Sequence, residues 1–378
     1  MTGLAVAETA AAAATTPDET SATSSPSESL SADALDAVLV DALGDRDGGV
    51  AVLSIRDGES TTAVIGDANV NGDPITADTP FRTGDVSSMF IAALVMQLVE
   101  EGRIELDEPL STYLPDAVIG GDVTIRQLLS HQSGLPQIDR APELLADALA
   151  DPARVFTPDE VLSYLEDSFA SPPGLLRQYA AVNFNLLGQL IEEIEGTDLN
   201  TVLRQRVTEP LGLEVTAIDT GDAPIPDGLA AGWSGTPGIE GDPAQPYASL
   251  ASRFWPAVAF STTGELATFL GGLFDGELVS AESLAEITTL SPEGYGLGIG
   301  GFVAPDGTQM YYVGGGGAAP SVTSSRADGY DSTAVYAPAT GDTLVVLTNN
   351  DQVDAGGIVG RIIDELWTAS TSTDSTNA

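Results

Sequence analysis

Strand-like segments lie at both ends of the chain and enclose a long helical middle, and this arrangement limits the possible folds most. Val50–Ile55 and Thr61–Ile65 read as strands joined at Asp57-Gly58, a hairpin turn signal. Four more predicted strands follow residue 290: Gly298–Val303, Gln309–Val313, Thr333–Ala337 and Thr343–Thr348. We therefore predict an α/β fold (an α+β sandwich), with an antiparallel sheet built from both chain ends, flanked by helices and carrying a large, mostly helical insertion.

Helical spacing of apolar residues marks the other elements. Ala34–Leu43 reads as a helix ended by Gly44, a second helix runs from Val86 to Gly102, and Ile358–Trp367 forms a last one. The first 30 residues contain few large apolar side chains, so the apolar surface that they could bury would not offset the conformational entropy lost on ordering. We expect a disordered leader over 1–30, a single domain over 31–369 and a disordered tail over 370–378. The sheet would come from about 31–70 and 295–369, and the helical region from about 80–290.

The charge balance excludes whole classes of partner. Against 56 Asp+Glu the chain has 13 basic residues, all Arg, so the formal net charge is −43. Such a surface repels nucleic-acid backbones and anionic lipid, and no apolar run approaches the roughly 20 residues of a membrane span. A Lys-free, Asp-rich surface is typical of halophilic proteins. Melting temperatures in a salt series test this expectation, which an unchanged stability would contradict.

The absence of Cys and the presence of a single His exclude several chemistries. The chain has no Cys, so disulfides and thiolate nucleophiles are impossible, and His131 is its one His. A multi-His metal site cannot be built from one imidazole. We predict neither a metal nor another cofactor.

Several longer motifs together resemble one known family. They are Thr79-Pro-Phe-Arg-Thr-Gly-Asp-Val-Ser-Ser-Met-Phe, Leu128-Leu-Ser-His-Gln-Ser-Gly-Leu-Pro, Leu186-Leu-Gly and Tyr295-Gly-Leu-Gly. Across residues 35–367 the chain resembles the serine β-lactamase and penicillin-binding DD-peptidase family, especially its class C and esterase-like branches. The resemblance implies a β-lactamase/transpeptidase-like fold.

The resemblance also implies an active site whose motifs are degenerate here. The family uses a Ser nucleophile with a Lys base three residues later, and these positions are Asp85 and Ser88. In the second motif Tyr179 remains, but Ala181 stands where the family has Asn. The third motif places Gly315 at the position of a Lys or His. The paired Gly ahead of Ser261-Thr262 reads Ala257-Val258.

Residual roles remain for some of these positions. Ser87 or Ser88 could act as a surrogate nucleophile with Tyr179 as base, although Ser is also a common helix-start residue. Asp85 has a structural explanation as a carboxylate that caps a helix start, and its use as a nucleophile lacks an acid partner nearby in sequence. His131 reads as a buried, hydrogen-bonded structural residue, and Tyr179 could persist as a packed aromatic.

Three functions remain open. The first is a catalytically inactive binding or scaffolding module that holds a peptide or a cell-wall-like small ligand in the former cleft, outside the cytoplasm. The second is an atypical serine hydrolase of esterase, β-lactamase or DD-carboxypeptidase type, which a Ser-directed acylating probe would label. The third is an acidic spacer or cation sink, and a specific cleft ligand would contradict it.

Overall fold

The computed structural model describes residues 31–117, 119–136, 142–151, 156–165, 170–219, 225–233, 259–314 and 329–367. The expected leader and tail lie outside these ranges. The same holds for Gly315 and for Ala257-Val258.

Both chain ends contribute to a six-stranded sheet, in the spatial order β2-β1-β9-β8-β7-β6, and all of its neighbouring strands are antiparallel. The prediction of an antiparallel sheet built from both termini is confirmed. Its strands are β1 (Gly49–Arg56), β2 (Glu59–Gly66), β6 (Gly300–Val303), β7 (Gln309–Gly314), β8 (Asp331–Ala337) and β9 (Asp342–Thr348).

Alternation along the central strands explains why both faces of this sheet are covered. Val50 and Val52 of β1 pack into one apolar cluster, while Ala51 and Leu53 pack into another on the opposite face. The first cluster includes the helices from the two chain ends, and the second includes the helical middle. Because successive strand residues point to opposite faces, an almost continuously apolar strand is a strand buried on both sides.

The hairpin between β1 and β2 forms where the turn signal predicts it. Asp57 has φ 53° and Gly58 has φ 77°, the left-handed pair that a two-residue hairpin turn requires. Arg56 pairs with Glu59, which leaves only these two residues in the loop.

The predicted helices are also present, with small shifts at their ends. The first begins after the N-cap Ser31 and stops at Gly44, whose φ is 58°. Its expected apolar face, Leu35, Val38, Leu39 and Leu43, is buried. The described helices are α1 (Ala32–Leu43), α2 (Ser88–Glu100), α3 (Ile125–Leu129), α4 (Pro142–Ala150), α5 (Pro158–Ser163), α6 (Val182–Glu195), α7 (Leu199–Leu203), α8 (Glu209–Leu211), α9 (Thr263–Phe274), α10 (Ala281–Thr288) and α11 (Ala355–Arg361). A π-helical turn extends α7 to α8, and another extends α11 to Trp367.

A second, three-stranded sheet is absent from the sequence prediction. It consists of β3 (Phe81–Arg82), β4 (Ala217–Ile218) and β5 (Ala259–Ser261), with β5 in the centre. Strands of two or three residues show no alternation to detect. β3 leads directly into Thr83 and a 3-10 turn over Gly84–Ser87, so this small sheet fixes the start of α2.

Within the described ranges, none of the helices combines the length and apolar character needed to span a bilayer.

Candidate functional site

Asp85 stands where the resemblance places the nucleophile, on the 3-10 turn that precedes α2. It is not the N-cap residue that the sequence predicts, although it lies in the first turn, where a carboxylate interacts favourably with the helix dipole. Thr83 is the N-cap residue of the turn, and the half-buried carboxylate of Asp85 accepts a hydrogen bond from the hydroxyl of Tyr179. The structure therefore brings together two predicted site residues that lie 94 positions apart in the chain.

Ser87 belongs to the packing around β5. Its side chain is 1% exposed, and its Oγ lies 2.8 Å from Thr83 Oγ1. The same Oγ accepts the backbone N–H of Ala259 at 2.7 Å. A hydroxyl that is buried and bonded on two sides joins the small sheet to α2 and is closed to an incoming substrate.

Ser88 occupies the position of the family's Lys and is the first residue of α2. It is half-buried, and its Oγ contacts the carbonyl oxygen of Gly298 at 3.5 Å. That distance is long for a hydroxyl hydrogen bond. Of the two surrogate serines, Ser88 has the less engaged hydroxyl.

The segment before α6 is held by the His131 loop. The backbone N–H of Gln178 donates to the His131 carbonyl at 2.8 Å, and that of Gly174 donates to the Gln132 carbonyl at 2.7 Å. The His131 ring packs 4.7 Å from the Tyr179 ring. These contacts orient the Tyr179 side chain toward the start of α2.

His131 is buried and hydrogen-bonded, as the sequence predicts. It is 1% exposed, its Nδ1 accepts the backbone N–H of Ala180 at 3.3 Å, and the Asn183 amide nitrogen lies 3.1 Å from the same atom. Burial, together with the charge of Arg177, lowers the pKa of His131 from 6.5 to about 3. The ring stays uncharged at neutral pH and has a positioning role.

The rest of the second motif has lost its amide. Ala181 is the residue that precedes α6, and its methyl group cannot donate or accept a hydrogen bond. The buried Asn183, two positions later, accepts from Ser133 Oγ at 2.7 Å and faces His131, so it serves the loop.

Sequence reasoning missed Arg177, Tyr295 and Tyr312 as members of this site. The Cζ atom of Arg177 lies 4.1 Å from the centroid of the Tyr295 ring, and the Tyr295 ring lies 5.4 Å from that of His131. Burial raises the pKa of Tyr295 and of Tyr312, so both phenols keep their protons at neutral pH. Arg177 stands two residues before Tyr179, and this proximity in sequence was the available signal.

In the described part of the chain no three His, Asp or Glu side chains are grouped as a metal site requires. What the site does contain is one carboxylate held by a phenol, one guanidinium, two further phenols and a neutral imidazole. A carboxylate whose lone pairs accept a hydrogen bond is a weaker nucleophile, and the described groups include no amine base. The arrangement is suited to holding a polar ligand.

Comparison with known proteins gives consistent similarities. The family model described as Beta-lactamase matches residues 37–364. Penicillin-binding protein 4 of Amycolatopsis lactamdurans is 34% identical over 155 residues, which cover 38% of this chain and 37% of that protein. Penicillin-binding protein PbpX of Bacillus subtilis (strain 168) is 26% identical over 242 residues, 62% of this chain and 56% of that protein. The alignments thus span about a third to a half of these relatives' own lengths.

Solved structures show the same fold. A D-stereospecific amidohydrolase from Streptomyces sp. superposes with a TM-score of 0.75 at 24% identity, covering 89% of this chain and 99% of its own. The octameric penicillin-binding protein homologue from Pyrococcus abyssi gives a TM-score of 0.72 at 23% identity, covering 88% and 77%. At these identities the likeness establishes the architecture, including the antiparallel sheet and its helical insertion.

Proposed function

Because the chain belongs to the beta-lactamase family of serine hydrolases, we propose that it is a catalytically inactive member that binds a small ligand in the former active-site cleft. The ligand class that fits the cleft is a peptide or a cell-wall-like small molecule, in line with the penicillin-binding proteins to which the chain is similar.

The hydrogen bond from Tyr179 to Asp85 carries this proposal. In the family a Lys amine accepts the proton of the Ser hydroxyl, with Tyr assisting, so that the Ser oxygen can attack the substrate. Here the Ser position holds a carboxylate, and the Tyr179 hydroxyl donates its hydrogen bond to that carboxylate. The chain has no Lys at any position, so no neighbouring segment can supply the amine. A positioned base is worth about a hundred- to ten-thousandfold in rate, and the chain lacks both that base and the Ser hydroxyl on which it acts.

The surrogate serines do not restore the chemistry. Ser87 is buried and its Oγ is bonded to Thr83 and Ala259. Ser88 is less engaged, and it is the residue on which the alternative function depends: an atypical serine hydrolase with Ser88 as nucleophile and Tyr179 as base. The similarity of the chain to a D-stereospecific amidohydrolase is consistent with this alternative.

Steady-state hydrolysis distinguishes the two functions. The folded protein is incubated with p-nitrophenyl acetate, a chromogenic cephalosporin and D-phenylalanine p-nitroanilide, beside its Ser88→Ala variant. We expect both proteins to match the uncatalysed rate with every substrate, because neither has a nucleophile with a base.

Saturable turnover by the natural chain that disappears in the Ser88→Ala variant would contradict the proposal. Circular dichroism of both proteins in the same buffer is the control for folding. The variant removes one half-buried hydroxyl, whose 3.5 Å contact contributes little to stability.

A further inference from the structure

Among the residues that the structure describes, Arg177 contacts the phenol of Tyr295 and has no carboxylate within ion-pairing distance. Its guanidinium stacks over the Tyr295 ring at 4.1 Å, and its Nε atom is buried and makes no hydrogen bond. A buried N–H donor left unbonded costs free energy. Native proteins leave few such groups, and a bound ligand is one means of satisfying them.

The other arginines show how unusual this is. Each described arginine except Arg46 and Arg177 has a carboxylate oxygen within 4 Å: Arg56, Arg82, Arg103, Arg126, Arg204, Arg206 and Arg361. Arg46 donates instead to the carbonyl groups of Ala42 and Leu43 at the end of α1. With 56 acidic residues available, the described structure leaves Arg177 as the guanidinium with neither an ion pair nor a carbonyl partner.

The groups around Arg177 make this corner of the cleft receptive to an anion. His131 is neutral, and Tyr295 and Tyr312 are protonated phenols that can donate hydrogen bonds. The one acidic residue of the cluster, Asp85, accepts the Tyr179 hydroxyl. Arg177 therefore supplies the positive charge of the cluster.

We propose that Arg177 binds the carboxylate of the cleft ligand, and that the ligand is a monoanion. The planar guanidinium matches a carboxylate through paired N–H donors, and the Nε–H is one of the donors that such a pair uses. The Asp85 carboxylate, which accepts the Tyr179 hydroxyl, belongs to the same cluster, so a doubly charged phosphate would meet stronger repulsion here than a singly charged carboxylate.

This inference rests on the proposed function, because it describes the ligand of the same non-catalytic cleft. The probe of its test, phenylacetate, has no bond that a hydrolase could cleave. If phenylacetate did not bind, only the role given to Arg177 would be contradicted. Substrate turnover would contradict only the proposed function.

The experiment is an NMR titration of the full chain labelled with ¹⁵N-arginine, at constant salt. The Arg177 Nε–H signal is assigned by its loss in an Arg177→Lys variant. Phenylacetate is the probe, phenylacetamide is its neutral counterpart, and inorganic phosphate tests the other oxyanion. We expect phenylacetate to shift the Arg177 signal saturably, and the amide and phosphate to leave it unchanged.

The matched variants are Arg177→Gln and Arg46→Gln, which remove the same charge from the cleft and from the surface. Binding followed by calorimetry is expected to weaken about 10- to 100-fold in Arg177→Gln, the value of a charged hydrogen-bonded contact, and to stay unchanged in Arg46→Gln. Equal shifts with acid and amide, a saturable response to phosphate instead, equal weakening in both variants, or no saturable response to phenylacetate would overturn the proposal.

Discussion

An Arg82→Ala variant is expected to lose about 3–5 kcal/mol of unfolding free energy, since it leaves the buried Asp219 carboxylate without its partner. Both side chains of this pair are 3% exposed, and the guanidinium contacts Asp219 through Nε at 2.9 Å and NH2 at 2.8 Å. NH1 also donates to the Tyr330 hydroxyl at 3.3 Å, which in turn donates to the Ala230 carbonyl at 2.7 Å. The network connects β3 to segments far along the chain and supports the turn that presents Asp85.

Chemical denaturation at constant pH and salt measures the loss. The control is Arg361→Ala, which breaks an exposed ion pair with Asp41 at 2.7 Å and should cost less than about 1 kcal/mol. A double variant, Arg82→Met with Asp219→Leu, should recover much of the stability because no charge stays buried. If Arg82→Ala were as stable as Arg361→Ala, the buried pair would not have the structural role given to it.

Acid is expected to destabilise the fold through His131. The pKa of this ring is about 3 in the folded protein and near 6.5 when unfolded. Between these values the unfolded chain binds a proton that the folded chain does not, so stability falls as pH drops from about 6.5 to 3. From pH 7 to pH 4 this one residue should remove about 3 kcal/mol, at 1.36 kcal/mol per pKa unit.

A His131→Asn variant isolates this contribution from that of the carboxylates. His131 has φ 55°, a left-handed conformation that Asn tolerates, and the Asn oxygen can accept the Ala180 N–H. The stability difference between the natural chain and the variant should shrink by about 3 kcal/mol between pH 7 and pH 4. A difference that stays constant over this range would show that His131 is protonated in the folded state.

Much of the fold could be predicted because its signals are local. The turn at Asp57-Gly58 and the apolar face of α1 each depend on residues within a few positions of one another. The small sheet could not be predicted, since β3 has two residues and its register is set by β5, far along the chain. Short strands are stabilised by tertiary pairing, which a local pattern does not contain.

The sequence predicted which catalytic residues are missing from the site better than it predicted the contacts of the residues that are present. The absence of Lys is certain from the sequence, and the resemblance predicts that Asp85 stands at the nucleophile position. The hydrogen bond between that carboxylate and Tyr179 could not be predicted, because Tyr179 is 94 residues away and the position of Asp85 at a helix start suggests capping instead. Arg177 was missed because its significance lies in what it does not contact, and only a folded structure shows which arginines are paired.

The most direct test of the central claim, that this cleft binds without acylation, is intact-mass analysis after exposure to a fluorescent penicillin and, separately, a fluorophosphonate. Ser87→Ala and Ser88→Ala variants are the controls, and circular dichroism establishes that each protein is folded. We predict an unchanged mass for the natural chain with both probes. A stoichiometric adduct that is lost in the Ser88→Ala variant would contradict the account and make the protein an active serine hydrolase.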